Sequence, residues 1–154
     1  MTLARIIGFS LAYNREPPRP KWLYPWLNET LIERDGWYLR LWGHGELPTD
    51  NPVEIGDIDC RGLMIELGEN AAIANDLGGY MPVFYANGMA STDEQCIVAD
   101  RELDEGGVLS FLLTNTLLAG KTIWRDIKWL PGNSVLTLTR DGQHHTRPQE
   151  PLQA

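Results

Sequence analysis

At 154 residues, with 43% hydrophobic and 22% charged residues, the chain carries enough apolar content to fold as one domain around its own core. Its formal net charge of −8, without a cluster of Lys and Arg, speaks against a nucleic-acid partner, and no apolar run approaches the roughly 20 residues a membrane span needs. Cys60 and Cys96 have neither metal-ligand spacing nor the pattern of a disulfide framework; with no signal sequence before residue 10, a cytoplasmic protein is expected.

Residues 4–13 predict a buried strand in which Ile7, Phe9, Leu11 and Tyr13 share one face while Gly8, Ser10 and Ala12 keep the other small. Asn14, Pro17, Pro18, Pro20 and Pro25 rule out a central strand or long helix over 14–28. Trp22, Tyr24 and Trp26 alternate within that stretch and predict a loop packed on the domain. Residues 28–35 predict one or two helical turns with Asn28 as N-cap, and Asp35-Gly36 predicts a hairpin turn into a strand at 37–42. The acidic stretch 46–56, with Pro48 and Pro52, reads as a surface loop.

Short strands are then predicted at 60–67, 70–75, 81–86 and 95–101, with turn signals at Glu69-Asn70, Gly78-Gly79 and Asn87-Gly88. One helix is predicted over 105–118, capped by Asp104, because Leu109, Leu112, Leu113 and Leu117 recur at helical spacing. Strands at 123–130 and 134–140, joined at Pro131-Gly132-Asn133, complete a domain over 1–142, leaving 143–154 as a polar tail or linker. Strands outnumber helices and no βαβ alternation occurs, so the predicted class is α+β with mostly antiparallel pairing.

Three stretches carry a resemblance. Residues 72–86 place Asp76, Gly79, Pro82, Phe84 and Tyr85 at the spacing of a strand followed by Asp-x-x-Gly-x-x-Pro and paired aromatics. In the second, Thr122, Ile123, Trp124, Ile127, Leu130 and Pro131 fall in register with a helix–turn–strand segment ending in a proline turn. The third is Ile6-Ile7-Gly8-Phe9. Together covering about two-thirds of the chain, they resemble the amino-terminal glutamine amidotransferase domain (class II, Ntn-type) of the asparagine synthetase family. The resemblance implies two antiparallel sheets packed face to face with flanking helices, here truncated, because the interval from Phe9 to Gly56 is roughly half the family's length.

The same alignment implies that glutaminase chemistry is lost. The family nucleophile is an N-terminal cysteine whose own amine is the base; Ala4 occupies that position here, behind Met1-Thr2-Leu3. Removal of Met1 would expose Thr2 as an alternative nucleophile, two residues out of register. The family's Arg-Gly-Pro and Asn-Gly-Glu glutamine clamps do not occur. His44 reads as an exposed loop residue, Cys96 and Cys60 as small core residues, and His144-His145 as part of a solvated tail rather than a metal site. Ala119-Gly120-Lys121-Thr122 lacks the first glycine of a P-loop, since Asn115 stands there.

The expected function is therefore a non-catalytic, glutaminase-like module of an ATP-dependent amide-forming ligase, degenerate as in lasso-peptide cyclases. Its expected partners are an asparagine-synthetase-like domain or subunit and a substrate peptide, without a nucleic acid or a membrane. No cofactor is expected in this chain; ATP and Mg belong on the partner synthetase domain. Trp124, at a family aromatic position, is expected in the core, and Trp129, at a position usually basic in the family, is expected at the partner interface. The alternative is a stand-alone binding protein displaying Trp22, Tyr24, Trp26, Trp37 and Trp42, residues for which core packing is the simpler expectation.

Overall fold

The computed structural model describes residues 5–55, 62–75, 81–115 and 121–149. Thr2, Ala4, Cys60, Asp76, Gly79 and Leu117 lie outside them. In chain order the strands are β1 (Arg5–Tyr13), β2 (Asn28–Arg34), β3 (Trp37–His44), β4 (Val53–Ile55), β5 (Leu63–Leu67), β6 (Ala71–Ala74), β7 (Phe84–Ala86) and β8 (Met89–Ser91). Helix α1 (Glu105–Thr114) follows, then β9 (Lys128–Trp129), β10 (Ser134–Leu138) and β11 (His144–Pro148).

The strands form two sheets, ordered β2-β3-β1-β8-β7-β9 and β11-β10-β6-β5-β4. Every strand pair in them is antiparallel. The fold is thus α+β, with antiparallel sheets and one helix among the described residues. Phe9, Leu39, Leu41, Val83 and Tyr85 of the first sheet and its flanks join Ile65, Ile73, Leu136 and Leu138 of the second in one buried cluster, so the sheets pack face to face. Each such aliphatic or aromatic side chain contributes about 1.5–3 kcal/mol by leaving water.

Local chemistry sets the register. Asp35 and Gly36 both take positive φ (53° and 87°), the two-residue turn whose twist matches a β-hairpin, and Arg34 pairs with Trp37 across it. Asn87 and Gly88 do the same between β7 and β8. In β1 the pairing steps from Ile6–Gly43 to Gly8–Trp42, leaving Ile7 as an extra residue. That bulge reverses the alternation, so Ile6 rather than Ile7 packs against the cluster of Phe9 and Leu11.

Several expectations are corrected. Residues 28–34 are a strand, not a helical turn: Ile32 points into the core while Glu29, Leu31 and Glu33 share the outer side. Residues 95–101 do not form a strand; Glu94–Cys96 is a 3-10 turn capped by Asp93, and Met89–Ser91 takes the place beside β1. Only Lys128 and Trp129 of 123–130 join a sheet, because Thr122 folds 122–127 into a turn: its hydroxyl donates to the Ile127 carbonyl (2.6 Å) and accepts from the Trp124 amide (3.0 Å). Residues 144–148, expected in a tail, form the edge strand β11 beside β10, with all five side chains exposed.

Helix α1 begins as expected, with the Asp104 carboxylate accepting from the Gly107 amide (3.1 Å), and ends at Asn115 in the left-handed region. Its leucines are not covered. Leu109, Leu112 and Leu113 are exposed, and the helix meets the domain through Gly107, whose missing β-carbon would collide with the Thr122 carbonyl oxygen.

Candidate docking surface

The Pro-rich loop between β1 and β2 lies across the outer side of the first sheet, and one arginine fastens it there. Arg40 of β3 has a side chain only 14% exposed; it pairs with Glu29 of β2, reaches Glu16 at 3.5 Å and donates to the Pro17 carbonyl at 3.3 Å. Glu29 also takes Arg19, at 2.8 Å. These contacts tie the first arm of the loop, Glu16 to Arg19, to β2 and β3. A paired, largely desolvated guanidinium of this kind positions backbone more than it stabilises the fold.

The aromatic residues of the loop then divide. Trp22 sets its ring edge-on to buried Trp42 (centroids 6.3 Å apart), and its indole N–H donates to the Asp93 carboxylate at 2.6 Å. Tyr24 and Trp26 stack on each other at 4.5 Å with planes 8° apart, yet remain 51% and 68% exposed. Of the five candidate aromatics, Trp37 and Trp42 are fully buried, while Trp22, Tyr24 and Trp26 reach solvent. The loop therefore packs on the domain through prolines 17 and 20 and one edge of Trp22, not through the stacked pair.

Beneath the loop the sheet surface is polar and closed. Ser10 and Ser91 share a hydroxyl hydrogen bond of 2.9 Å, Ser91 also donates to the Phe9 carbonyl, and the Asp93 amide donates to Ser91 at 3.0 Å. Cys96 is buried against these hydroxyls; burial pushes its thiol pKa up, the opposite of what a nucleophile requires. On the outer flank, the Tyr38 phenol is raised by its hydrogen bond to the Glu33 carboxylate and by that carboxylate's charge.

The other predicted site residues fall as follows. Tyr85, Thr122 and Leu130 are buried; Phe84 and Pro131 are half-buried, and Pro82 is exposed. They converge around β7 and β9, where the Leu130 amide donates to the Val83 carbonyl at 2.7 Å. Trp129 pairs with Phe84 across β7 and β9 and is half-buried, with its indole N–H enclosed and unpaired among the described residues. Trp124 is also half-buried, stacked under Arg101 at 5.6 Å. The contrast expected between these two tryptophans is absent, because Trp124 sits in the 122–127 turn rather than in a strand continuous with Trp129.

His44 is exposed at the end of β3, and the His144 ring meets Tyr85 edge-on at 5.0 Å. Among the described residues no group of three or more His, Cys, Asp or Glu side chains converges to hold a metal, and no helix is long and apolar enough to cross a membrane. The exposed surface missed by periodicity is that of α1, whose leucine spacing signals a helix but not what covers it. No family model and no curated protein matches the chain.

Proposed function

We propose that this chain is a non-catalytic, glutaminase-like module of an ATP-dependent amide-forming ligase of the asparagine synthetase or lasso-peptide macrolactam synthetase type. It docks a synthetase domain or substrate peptide. The observation that carries the docking role is the Tyr24–Trp26 stack, open to solvent on a loop held by Arg40 and Trp22. A preordered aromatic pair loses little conformational entropy on binding and supplies the large apolar contact typical of interface anchors. The partner class rests on the resemblance, and the face-to-face antiparallel sheets agree with the Ntn-type architecture it implies. Trp129 is a second contact in this reading, and ATP and Mg act on the partner.

The runner-up is a stand-alone binding protein using the same stack; a hydrolase acting through Thr2 is the third reading. A titration of the chain with a synthetase domain carrying a Ser-Gly-Gly-x-Asp-Ser loop separates the first two. Saturable binding weakened by Trp26→Ala supports the module; a stack that binds no synthetase domain favours the independent binder.

A further inference from the structure

The outer edge of β2 is a row of backbone groups waiting for a partner. The Asp35-Gly36 turn makes Arg34–Trp37 the closing hydrogen-bonded pair. Asn28, Thr30, Ile32 and Arg34 therefore turn their N–H and C=O toward β3, and Glu29, Leu31 and Glu33 turn theirs outward. Among the described residues nothing bonds those outward groups. At seven residues β2 is also the longest edge, and it contains neither proline nor lysine. The other edges are shorter: β9 has two residues, β4 three, and β11 five, the last of them Pro148.

Side chains select what pairs there. Leu31 is half-exposed on the outer side of β2, and Glu29 beside it is neutralised by Arg19 and Arg40. Glu33, exposed at the same face, has the Tyr38 hydroxyl but no cation among the described residues. A second copy of the chain paired antiparallel about Leu31 would set Glu29, already paired with Arg19 and Arg40, against Glu33 and bring it no free cation.

We infer that β2 is a strand-addition site for an extended peptide segment that places an apolar residue opposite Leu31 and a Lys or Arg opposite Glu33. The inference deepens the docking reading and rests on it only in taking the chain to work by binding. Backbone pairing supplies affinity, and the Leu31–Glu33 face supplies selection.

The probe is acetyl-Thr-Lys-Thr-Val-Thr-Lys-Thr-amide, fluorescently labelled and titrated into the full chain by anisotropy, with amide shifts followed by NMR. The expected result is saturable binding with the largest shifts at Glu29, Leu31 and Glu33. N-methylation of the valine and lysines, whose amides would face β2, should weaken binding by about tenfold or more, while N-methylation of the threonines leaves it within about twofold. Leu31→Pro removes an outward donor without touching the β3 ladder and should abolish binding in a folded protein; Glu33→Lys should weaken it by about tenfold. Equal loss from both methylation patterns, which needs no protein variant, would overturn the inference, as would dimerisation through β2 that excludes the probe. A chain that takes the probe but no synthetase domain contradicts the module reading alone.

Discussion

The buried indole of Trp42 lies against Gly8 so closely that a β-carbon on residue 8 would come within 2.5 Å of Cε2. Trp42 in turn carries Trp22, and Trp22 holds the loop that displays Tyr24 and Trp26. Gly8→Ala must therefore push the Trp42 ring outward and disturb the loop. The expected cost is about 1–3 kcal/mol, as for other overpacked sites. Urea unfolding measures it, and tryptophan emission should shift to the red in the folded variant.

The two adjacent glycines of α1 should respond in opposite directions. Gly107 faces the Thr122 backbone, which cannot yield as a side-chain tip can, whereas the nearest atom to a β-carbon on Gly106 is the Asp104 carboxylate at 3.9 Å. Gly107→Ala is expected to undock the helix and destabilise the protein by about 2 kcal/mol or more. Gly106→Ala should stabilise it by about 0.5–1 kcal/mol through helix propensity alone. Paired thermal melts decide both.

His144 gives the fold a pH dependence. The Tyr85 ring covers one side of this otherwise exposed imidazole, and that partial loss of water lowers its pKa below 6.5, with smaller contributions from the charges of Lys128 and His145. The unfolded chain therefore takes up the proton more readily than the folded one. Stability is complete above about 6.5 and falls as the pH drops from there to the folded value. Asp50 and Asp141, both lowered, act in a separate window: Asp50 through the Asn51 amide and Arg34, Asp141 through the Thr139 hydroxyl. Their contribution is present above 3.8 and is lost as pH falls through their folded values. His144→Gln should flatten the urea-midpoint profile between pH 7.5 and 5.5 and leave the acid limb unchanged.

Glutamine hydrolysis should be absent from the chain, with or without Met1 removed. Ammonia release above a no-enzyme blank, abolished by Thr2→Ala, would contradict the non-catalytic reading and favour the N-terminal threonine.

The parts of the fold legible in the sequence are those fixed by local backbone chemistry. Asp35-Gly36 and Asn87-Gly88 announce their hairpins because the turn needs two positive φ angles. The alternation of Leu63, Ile65 and Leu67 announces β5, and Asp104 announces the start of α1. What stayed hidden depends on what lies opposite. Leu31 and Ile32 are adjacent apolar residues that fit a helical turn or a strand, and the β3 ladder decides for the strand. Residues 95–101 have strand-forming Ile97 and Val98, but β8 already occupies the edge of β1. The candidate surface was half legible. An alternating Trp22-Tyr24-Trp26 run marks an aromatic loop, yet only the packing of Trp22 on Trp42 shows which rings stay open.

The docking role is tested most directly by the affinity of the synthetase domain for the wild-type chain and for the Tyr24→Ala/Trp26→Ala double variant, by isothermal calorimetry. Both rings are more than half exposed, so the variant should keep its stability within about 1 kcal/mol. Binding should weaken by about 2 kcal/mol or more, the loss of an aromatic anchor. Unchanged affinity in a folded double variant would contradict the account.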